Sequence, residues 1–339
     1  MKVQRREGFA LFLSVLFLLF CLAFLTRLTT PKQHDMGSTW GHFLEEPPNS
    51  LDILYLGSSL VYCDVVPAII WEETGLTGYV MAGPEQPMPM TYYYLSEALK
   101  TQHPQAVFIE VTGMFYDRYT SFTKVNIGQM PWGYNRLLAT LYEAEPDLRT
   151  GLLFPLLFYH DRWSILKSDD WKVTLNGYST DPLAGYTWLN TYRPAGNVYQ
   201  RPIESSPDNI ARNYGFLHKL YALCMEEDIQ PVFYFAPTMG RFPEELSNTL
   251  RRTITEDLPE ALFLDCNEYA TQINNDPAVD YYDTLHFNAA GAEKFSRFLS
   301  SWIEQNLSIT STHHQEHLWQ SRADYFFELA QQPMQPAEK

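Results

Sequence analysis

Five short and largely apolar runs recur along the chain, each followed by a residue that favours a turn. They cover residues 53–56, 79–82, 106–111, 231–235 and 261–264. Continuous apolar runs of this length are typical of strands buried on both faces, as in a parallel sheet. Apolar residues at helical spacing lie between or after them, most clearly over residues 210–225 and 289–307. The alternation of strand and helix predicts an α/β protein built on a parallel sheet.

Two segments depart from this rhythm. Residues 117–205 are rich in Tyr, Trp, Asn, Gly and Pro, and we interpret them as an insertion. One role for this insertion would be to form a cap over the functional site. The tail over residues 311–339 contains a helical pattern at residues 316–330, with apolar positions for packing on the domain or on a partner. The main domain is therefore expected to cover residues 51–310, after a linker at residues 31–50.

The N-terminal 30 residues have the pattern of a membrane segment. Residues 9–25 carry no charged side chain and follow Lys2, Arg5 and Arg6. A run of this kind predicts a helix that enters the bilayer. Its end lacks the small residues of a signal-peptidase site, which favours an uncleaved anchor over release of the domain.

The flanking residues refine this prediction. Lipidation of Cys21 is not expected, because Phe20 stands where a lipoprotein signal has a small residue. Basic residues before the span favour a cytoplasmic N-terminus. We therefore expect a single-pass protein of the cell membrane, with the folded domain outside the cytoplasm.

Net charge argues against one class of ligand, whereas cysteine content excludes none. The formal net charge of −16 argues against binding of nucleic acid, which requires a basic surface. Cys63, Cys224 and Cys266 lie outside the apolar run, so any disulfide would leave one thiol over. Cysteine usage therefore does not decide the redox compartment.

Two short motifs carry candidate chemistry. Gly57-Ser58-Ser59 follows the first predicted strand, at the sheet edge where α/β proteins bind their ligands. Asp283 and His286 lie three residues apart, just before the last predicted helix, which Asn288 or a neighbour could cap. Taken singly, the first motif could be an ordinary turn and the second a helix cap.

Together the motifs supply the three roles of a catalytic triad. A serine hydroxyl becomes a nucleophile when an imidazole accepts its proton, and a carboxylate orients that imidazole. Ser59, His286 and Asp283 are of the residue types that this chemistry needs. The sequence therefore predicts that the two loops meet at one edge of the sheet.

The two motifs resemble the first and last sequence blocks of the SGNH (GDSL-like) hydrolase superfamily, over about residues 50–305. The resemblance implies a three-layer, flavodoxin-like parallel sheet. It also implies that Ser59 is the nucleophile and that Asp283 and His286 complete the triad. The glycine of the family's second block corresponds to Gly83, whose N–H would bind the oxyanion.

The third block departs from the family. The family has Gly-x-Asn-Asp after the third strand, with the asparagine completing the oxyanion hole, whereas this chain has Thr112-Gly113-Met114 there. Loss of one oxyanion donor costs about 100-fold to 1000-fold in rate. The alternatives are that Thr112, Gln86 or a backbone N–H replaces the donor, or that the protein is a slow enzyme or a non-catalytic relative.

The departures, the anchor and the aromatic insertion resemble divergent SGNH-like proteins that accompany membrane-bound O-acyltransferases, such as those of alginate acetylation and D-alanyl transfer. This resemblance implies an esterase or O-acyltransferase acting on an acylated cell-envelope polysaccharide, or on a small ester, with a membrane O-acyltransferase as partner. His160, Arg162 and Trp163 are candidates for substrate binding, or for a packed aromatic segment with a solvated ion pair. The alternative function is a non-catalytic partner or glycan-binding module.

Other chemistry has weaker signals. No glycine-rich phosphate loop or dinucleotide-binding turn follows a predicted strand, so no cofactor is expected. His313, His314 and His317 have a spacing compatible with metal binding, but they lie in a polar tail without a cysteine. We therefore predict no metal site.

Overall fold

The computed structural model describes residues 2–32, 37, 40–203, 205–312 and 315–337. Its central element is a five-stranded sheet, in which every pair of neighbours is parallel. The strands, in chain order, are β1 (Ile53–Gly57), β2 (Gly78–Ala82), β3 (Ala106–Glu110), β4 (Thr191–Tyr192), β5 (Tyr199–Gln200), β6 (Gln230–Phe235), β7 (Gly240–Arg241), β8 (Leu262–Asp265) and β9 (Gln335–Pro336). The α/β class and the five strands are confirmed, with β8 at the edge of the sheet only partly buried.

Fifteen α-helices are described in the same residues. They are α1 (Lys2–Thr29), α2 (Trp40–Phe43), α3 (Ser59–Tyr62), α4 (Pro67–Thr74), α5 (Met88–Ala98), α6 (Thr123–Gln129), α7 (Tyr134–Glu143), α8 (Pro146–Leu153), α9 (Leu156–Tyr159), α10 (Ser168–Asn176), α11 (Pro207–Glu226), α12 (Glu244–Asp257), α13 (Ala270–Ile273), α14 (Ala289–Asn306) and α15 (Glu316–Ala330). Short 3-10 helices cover Val111–Phe115, His160–Ile165 and Cys266–Tyr269.

Two apolar cores lie on opposite faces of the sheet, so the domain has three layers. Alternate residues of each strand point to opposite faces, as with Leu54 and Tyr55 in β1. Helices α5, α11 and α12 cover one face, and α4 and α14 cover the other. This burial on both faces explains why the strands are continuous apolar runs rather than alternating ones.

The strand order locates the crevice of the sheet. The order is β2-β1-β3-β6-β8, so the chain moves outward in one direction from β1 to β2 and in the other direction from β3 onward. In open α/β sheets the ligand site lies outside the carboxyl ends of the strands where this direction changes. That point is between β1 and β3, immediately before Ser59 and Thr112.

The N-terminal helix has the dimensions of a membrane span. Its segment Glu7–Thr29 is 23 residues long with a mean hydropathy of 2.8, and none of its most apolar window is buried in the protein. Such a helix is long and apolar enough to cross a bilayer. An N-terminal signal sequence has the same length and hydropathy.

The insertion and the two flanking segments contribute to the fold in different ways. Between β3 and α11 the described chain adds no strand to the central sheet, while β5 pairs with β7 next to it. The segment predicted as a linker places Trp40 in the core. The tail helix α15 has the predicted bounds and packs on the domain, because Trp319 is buried there and Arg322 forms a buried ion pair with Glu46.

Candidate active site

The turn after β1 presents Ser59 at the sheet edge. Gly57 adopts φ +146°, and a Cβ there would lie 2.7 Å from the Glu110 Cβ, so the position needs glycine. The buried Ser58 hydroxyl donates to the Glu110 carboxylate at 3.0 Å and caps α3 by accepting from the Leu60 N–H. Ser59 is the first residue of α3, and its side chain is partly exposed.

The turn before α14 presents His286. The Asp283 carboxylate accepts from the Leu285 and His286 N–H groups at 2.7 and 2.9 Å, which folds the turn around the carboxylate. The same carboxylate lies 2.9 Å from His286 Nδ1. On the other side of the ring, His286 Nε2 lies 2.7 Å from the Ser59 hydroxyl oxygen. The structure therefore brings the three predicted triad residues together in one continuous chain of hydrogen bonds.

Two anchors hold the His286 turn in place. The Phe287 N–H donates to the buried Asp64 carboxylate at 2.9 Å, which ties this turn to the segment after α3. The Asn288 side chain accepts from the Ala290 and Gly291 N–H groups and caps α14, as the sequence predicted. Residues on both sides of Ser59 and His286 are thus fixed by buried contacts.

The electrostatics of the triad favour an ionised carboxylate at Asp283. Burial alone would raise the pKa of Asp283, but the hydrogen bond and charge of His286, with the two backbone N–H groups, outweigh it and lower the pKa. The ionised carboxylate holds the proton of His286 on Nδ1. Nε2 is then free to accept the Ser59 hydroxyl proton.

The Gly83 amide is already used within the protein. It follows β2, as predicted, but its N–H donates to the Gly57 carbonyl at 3.2 Å. A Cβ on Gly83 would lie 2.3 Å from Asn126 Oδ1, so only glycine fits between these groups. Binding of an oxyanion by Gly83 would therefore require its N–H to be shared with, or released from, Gly57.

The other two predicted oxyanion donors are also engaged. The Thr112 N–H donates to the Glu110 carboxylate at 2.8 Å, and its side chain also bonds to that group. Gln86 donates to the Thr91 hydroxyl at 3.1 Å. The Ser59 N–H, in contrast, donates no hydrogen bond to any described part of the chain, as expected at the start of a helix.

Asn126 is a site neighbour that the sequence did not indicate. Its side-chain nitrogen donates to the Pro84 carbonyl at 2.9 Å, and its Oδ1 and the Gln86 Oε1 are both buried beside Gly83 without a partner among the described residues. Rotation of the Gln86 amide by 180° would keep its bond with the Thr91 hydroxyl, which can donate as well as accept. It would also turn an N–H toward Gly83.

Polar residues beside the nucleophile form a second group that sequence reasoning missed. Burial raises the pKa of Tyr62, and its hydrogen bond with Ser59 lowers it in part. Burial likewise raises the pKa of Tyr116, against the effect of the nearby Arg201 guanidinium. Arg201 Nη1 is buried and has no hydrogen-bond partner in the described chain. These residues come from the turn after β1, the loop after β3 and the end of the insertion, and they share no motif.

A polar recess lies beside Thr112. A cavity of about 280 Å³ opens at the carboxyl ends of β3, β6 and β8. Its charged lining consists of Arg241, Arg251, Glu244, Asp265 and Glu268. The larger cleft of about 720 Å³ lies elsewhere, between α1 and the insertion. The recess therefore extends the sheet edge that carries Ser59.

The predicted substrate-binding segment lies at the end of α1. Arg162 donates to the Thr29 carbonyl and pairs with Asp170, while His160 and Trp163 are exposed. The contacts of Arg162 are those of a residue that fastens α1 to the insertion. A role of Arg162 in substrate binding stays a prediction.

The described residues contain no cluster of three or more metal-ligating side chains. His313 and His314, which the sequence singled out for their spacing with His317, lie outside the described residues.

Two solved structures are similar to this chain over more than three quarters of its length, at low sequence identity. No family model matches the sequence, and no curated protein matches it. A protein of Bacteroides fragilis NCTC 9343 assigned as an acylhydrolase matches with 9% identity and a TM-score of 0.41, over 79% of this chain and 95% of its own. An acetyl xylan esterase from the rumen bacterium Butyrivibrio proteoclasticus matches with 7% identity and a TM-score of 0.35, over 77% of this chain and 65% of its own.

Proposed function

We propose that this chain is a serine esterase or O-acyltransferase of the SGNH type, anchored in the cell membrane with its site outside the cytoplasm. The observation that carries the proposal is the chain of contacts from Asp283 through His286 to Ser59, at 2.9 and 2.7 Å. The triad also lies where the strand order of the parallel sheet changes direction, which is where open α/β sheets bind their ligands. The likeness to esterases adds no weight of its own.

The chemistry proceeds through an acyl-enzyme. His286 Nε2 accepts the Ser59 proton as the hydroxyl oxygen attacks the ester carbonyl, and Asp283 stabilises the imidazolium that forms. Collapse of the tetrahedral intermediate breaks the ester C–O bond, and His286 returns the proton to the leaving alcohol. A second hydroxyl, from water or from an acceptor, then attacks the Ser59 ester, with His286 again moving the proton.

The oxyanion hole sets the expected rate. The Ser59 N–H, which donates to no described part of the chain, is the first donor, and Gly83 or a rotated Gln86 amide is the second. Each of the latter requires a local rearrangement, because both groups are now bonded within the protein. We therefore expect turnover that is slow for a serine esterase, since each missing donor costs about 100-fold to 1000-fold.

The proposed substrate class and location rest on the anchor. A domain held at the outer face of a membrane meets acylated cell-envelope polysaccharides, which is the substrate class that we propose, with a membrane O-acyltransferase as the source of acyl groups. The Arg27 side chain donates to the Val173 carbonyl at 3.2 Å, and Arg162 donates to Thr29. These contacts make α1 part of the folded unit and favour its retention.

Hydrolysis of p-nitrophenyl acetate by the detergent-solubilised full-length protein tests the proposal. We expect measurable turnover that Ser59→Ala abolishes, with Ser301→Ala on the exposed side of α14 as the matched control. Adding an envelope oligosaccharide separates the two reactions, because a transferase would yield an acetylated sugar and less free acetate. Equal background rates for the protein and its Ser59→Ala variant would refute catalysis.

The second candidate is a non-catalytic partner or glycan-binding module of a membrane acyltransferase. The observation that favours it is that Gly83, Thr112 and Gln86 all have their donors engaged within the protein. Such a module would bind an acylated envelope polysaccharide equally well before and after Ser59→Ala, without turnover in either form. Isothermal titration with the purified polysaccharide would show this.

A further inference from the structure

Exposed apolar side chains concentrate on one part of the insertion. Helices α9 and α10 and the 3-10 helix between them leave large apolar side chains uncovered, with Trp163 73% exposed and Ile165 and Leu175 each 66% exposed. We define the α9–α10 face by these residues and by the other exposed apolar side chains of the same helices, Leu157 and Trp171. Single exposed apolar residues are ordinary, but a group of this size on adjacent elements marks an interaction surface.

This face is continuous with the outer half of α1. The helices that carry it are the ones that contact α1, and the Trp171 ring lies 6.5 Å from the Phe24 ring. Arg162 of the insertion donates to the Thr29 carbonyl of α1, and Arg27 of α1 donates to the Val173 carbonyl of α10. These two bonds hold the insertion against α1. The cleft of about 720 Å³ between α1 and the insertion is lined by Leu22 as well as by Phe154.

The positions of these contacts along α1 give their depth in a bilayer that α1 would span. At ~1.5 Å per residue the 23-residue segment Glu7–Thr29 is ~34 Å long, slightly more than the ~30 Å hydrocarbon core of a bilayer. Phe24 lies five residues before Thr29, so a centred span places Phe24 ~5 Å inside the hydrocarbon. Leu22 lies deeper still. The insertion contacts α1 at a level that is inside the membrane.

From these observations we infer that the α9–α10 face lies in the outer leaflet of the membrane that α1 spans, with phospholipid as its binding partner. Tryptophan at the boundary between hydrocarbon and headgroups is the usual anchor of such surfaces, and Trp163 and Trp171 supply it. The inference rests on the membrane span proposed above. It makes the insertion a membrane platform that fixes the height and tilt of the Ser59 site, and it accounts for the exposure of Trp163.

The inference is tested by measuring depth in the full-length protein reconstituted in phosphatidylcholine vesicles. A nitroxide is attached at Trp163→Cys or Leu175→Cys in a Cys21→Ser background, because the other three cysteines are buried. Power saturation compares collisions with oxygen, which is enriched in lipid, against those with a water-soluble nickel complex. Leu18→Cys, midway along α1, is the lipid control, and Val279→Cys, exposed before the Asp283 turn, is the aqueous control.

We expect the labels at positions 163 and 175 to favour oxygen as the label at position 18 does, and the label at position 279 to favour nickel. Nickel accessibility at 163 and 175 equal to that at 279, with position 18 still in lipid, would overturn the inference and leave the span intact. Nickel accessibility at position 18 would instead refute the span and remove the basis of the inference.

Discussion

The imidazole Nε2 of His286 lies 2.7 Å from the hydroxyl oxygen of Ser59, although 227 residues separate the two in the chain. Ser59 is placed by the glycine turn after β1, and His286 is placed by a turn wrapped around Asp283. The bond from the Phe287 N–H to Asp64 joins the two segments directly. The triad geometry is thus supported by buried contacts outside the triad itself.

The first prediction concerns Asp283. Asp283→Asn should lower kcat/KM for p-nitrophenyl acetate by about 10⁴-fold, because an amide favours the wrong imidazole tautomer. Asp324→Asn, on the surface of α15, is the control and should change nothing. Kinetics at neutral pH and a thermal midpoint for each variant are the measurements. Activity within a factor of ten of the parent protein would exclude Asp283 from the triad.

The second prediction concerns Asp64 as a positioning residue. Asp64→Ala leaves the Phe287 N–H without an acceptor and frees the His286 turn, so kcat should fall about 100-fold, as expected for a misplacement of about 1 Å. Asp64→Asn keeps an acceptor oxygen and should restore most of kcat, with KM unchanged in both variants. Equal loss of kcat in the two variants would contradict the positioning role.

The third prediction concerns the pH dependence contributed by Glu110. Desolvation raises the pKa of this buried carboxyl, against the hydrogen bonds from Thr112 and Ser58. A raised pKa means that the folded state binds the proton more tightly, so its contribution to stability is complete below the unfolded pKa and is lost as pH rises toward the folded pKa. Glu110→Gln should therefore gain stability relative to the parent as the pH rises above the ordinary glutamate pKa of about 4.3.

Denaturation midpoints at several pH values measure this effect. Glu110→Ala is the companion variant and should be about 1–3 kcal/mol less stable than Glu110→Gln at every pH, because it leaves the Thr112 N–H unsatisfied. A difference between Glu110→Gln and the parent that does not change with pH would show that folding does not raise the pKa of this carboxyl.

The fourth prediction concerns the ion pair between Arg322 and Glu46. Both side chains are 1% exposed, and Arg322 also donates to the Asp181 carbonyl at 3.0 Å, so the pair joins α15, the segment before β1 and the insertion. Arg322→Ala should cost about 3–5 kcal/mol by leaving a buried charge unpaired. Arg252→Ala, on an exposed position, should cost less than about 0.5 kcal/mol. A similar small loss for both would show that α15 is not integral to the fold.

The sheet was predictable from the sequence because a strand that is buried on both faces has a continuous run of apolar residues. Each strand is a short apolar run, and β1 ends at the predicted Gly57. Helices α11, α14 and α15 also have close to their predicted bounds, since their apolar spacing is regular. The role of Trp40 in the core was not predictable, because one short helix carries no periodicity.

The site was predictable only where one motif supplies the geometry. The Asp283 and His286 pair shares a turn, so its contact follows from local structure. Asn126 and Arg201 reach the neighbourhood of Ser59 from the insertion, where no spacing links them to the triad. Arg162 was assigned to substrate because its neighbours are aromatic, whereas its contacts with Thr29 depend on how α1 packs.

Covalent labelling with a fluorophosphonate tests most directly whether Ser59 is an activated nucleophile. The full-length protein is treated with the probe, digested and analysed by mass spectrometry, in parallel with the His286→Ala variant and a known serine esterase. The account predicts a stoichiometric adduct on Ser59 that forms at least about 100-fold more slowly in His286→Ala. An unmodified Ser59 under conditions that fully label the reference esterase would contradict it.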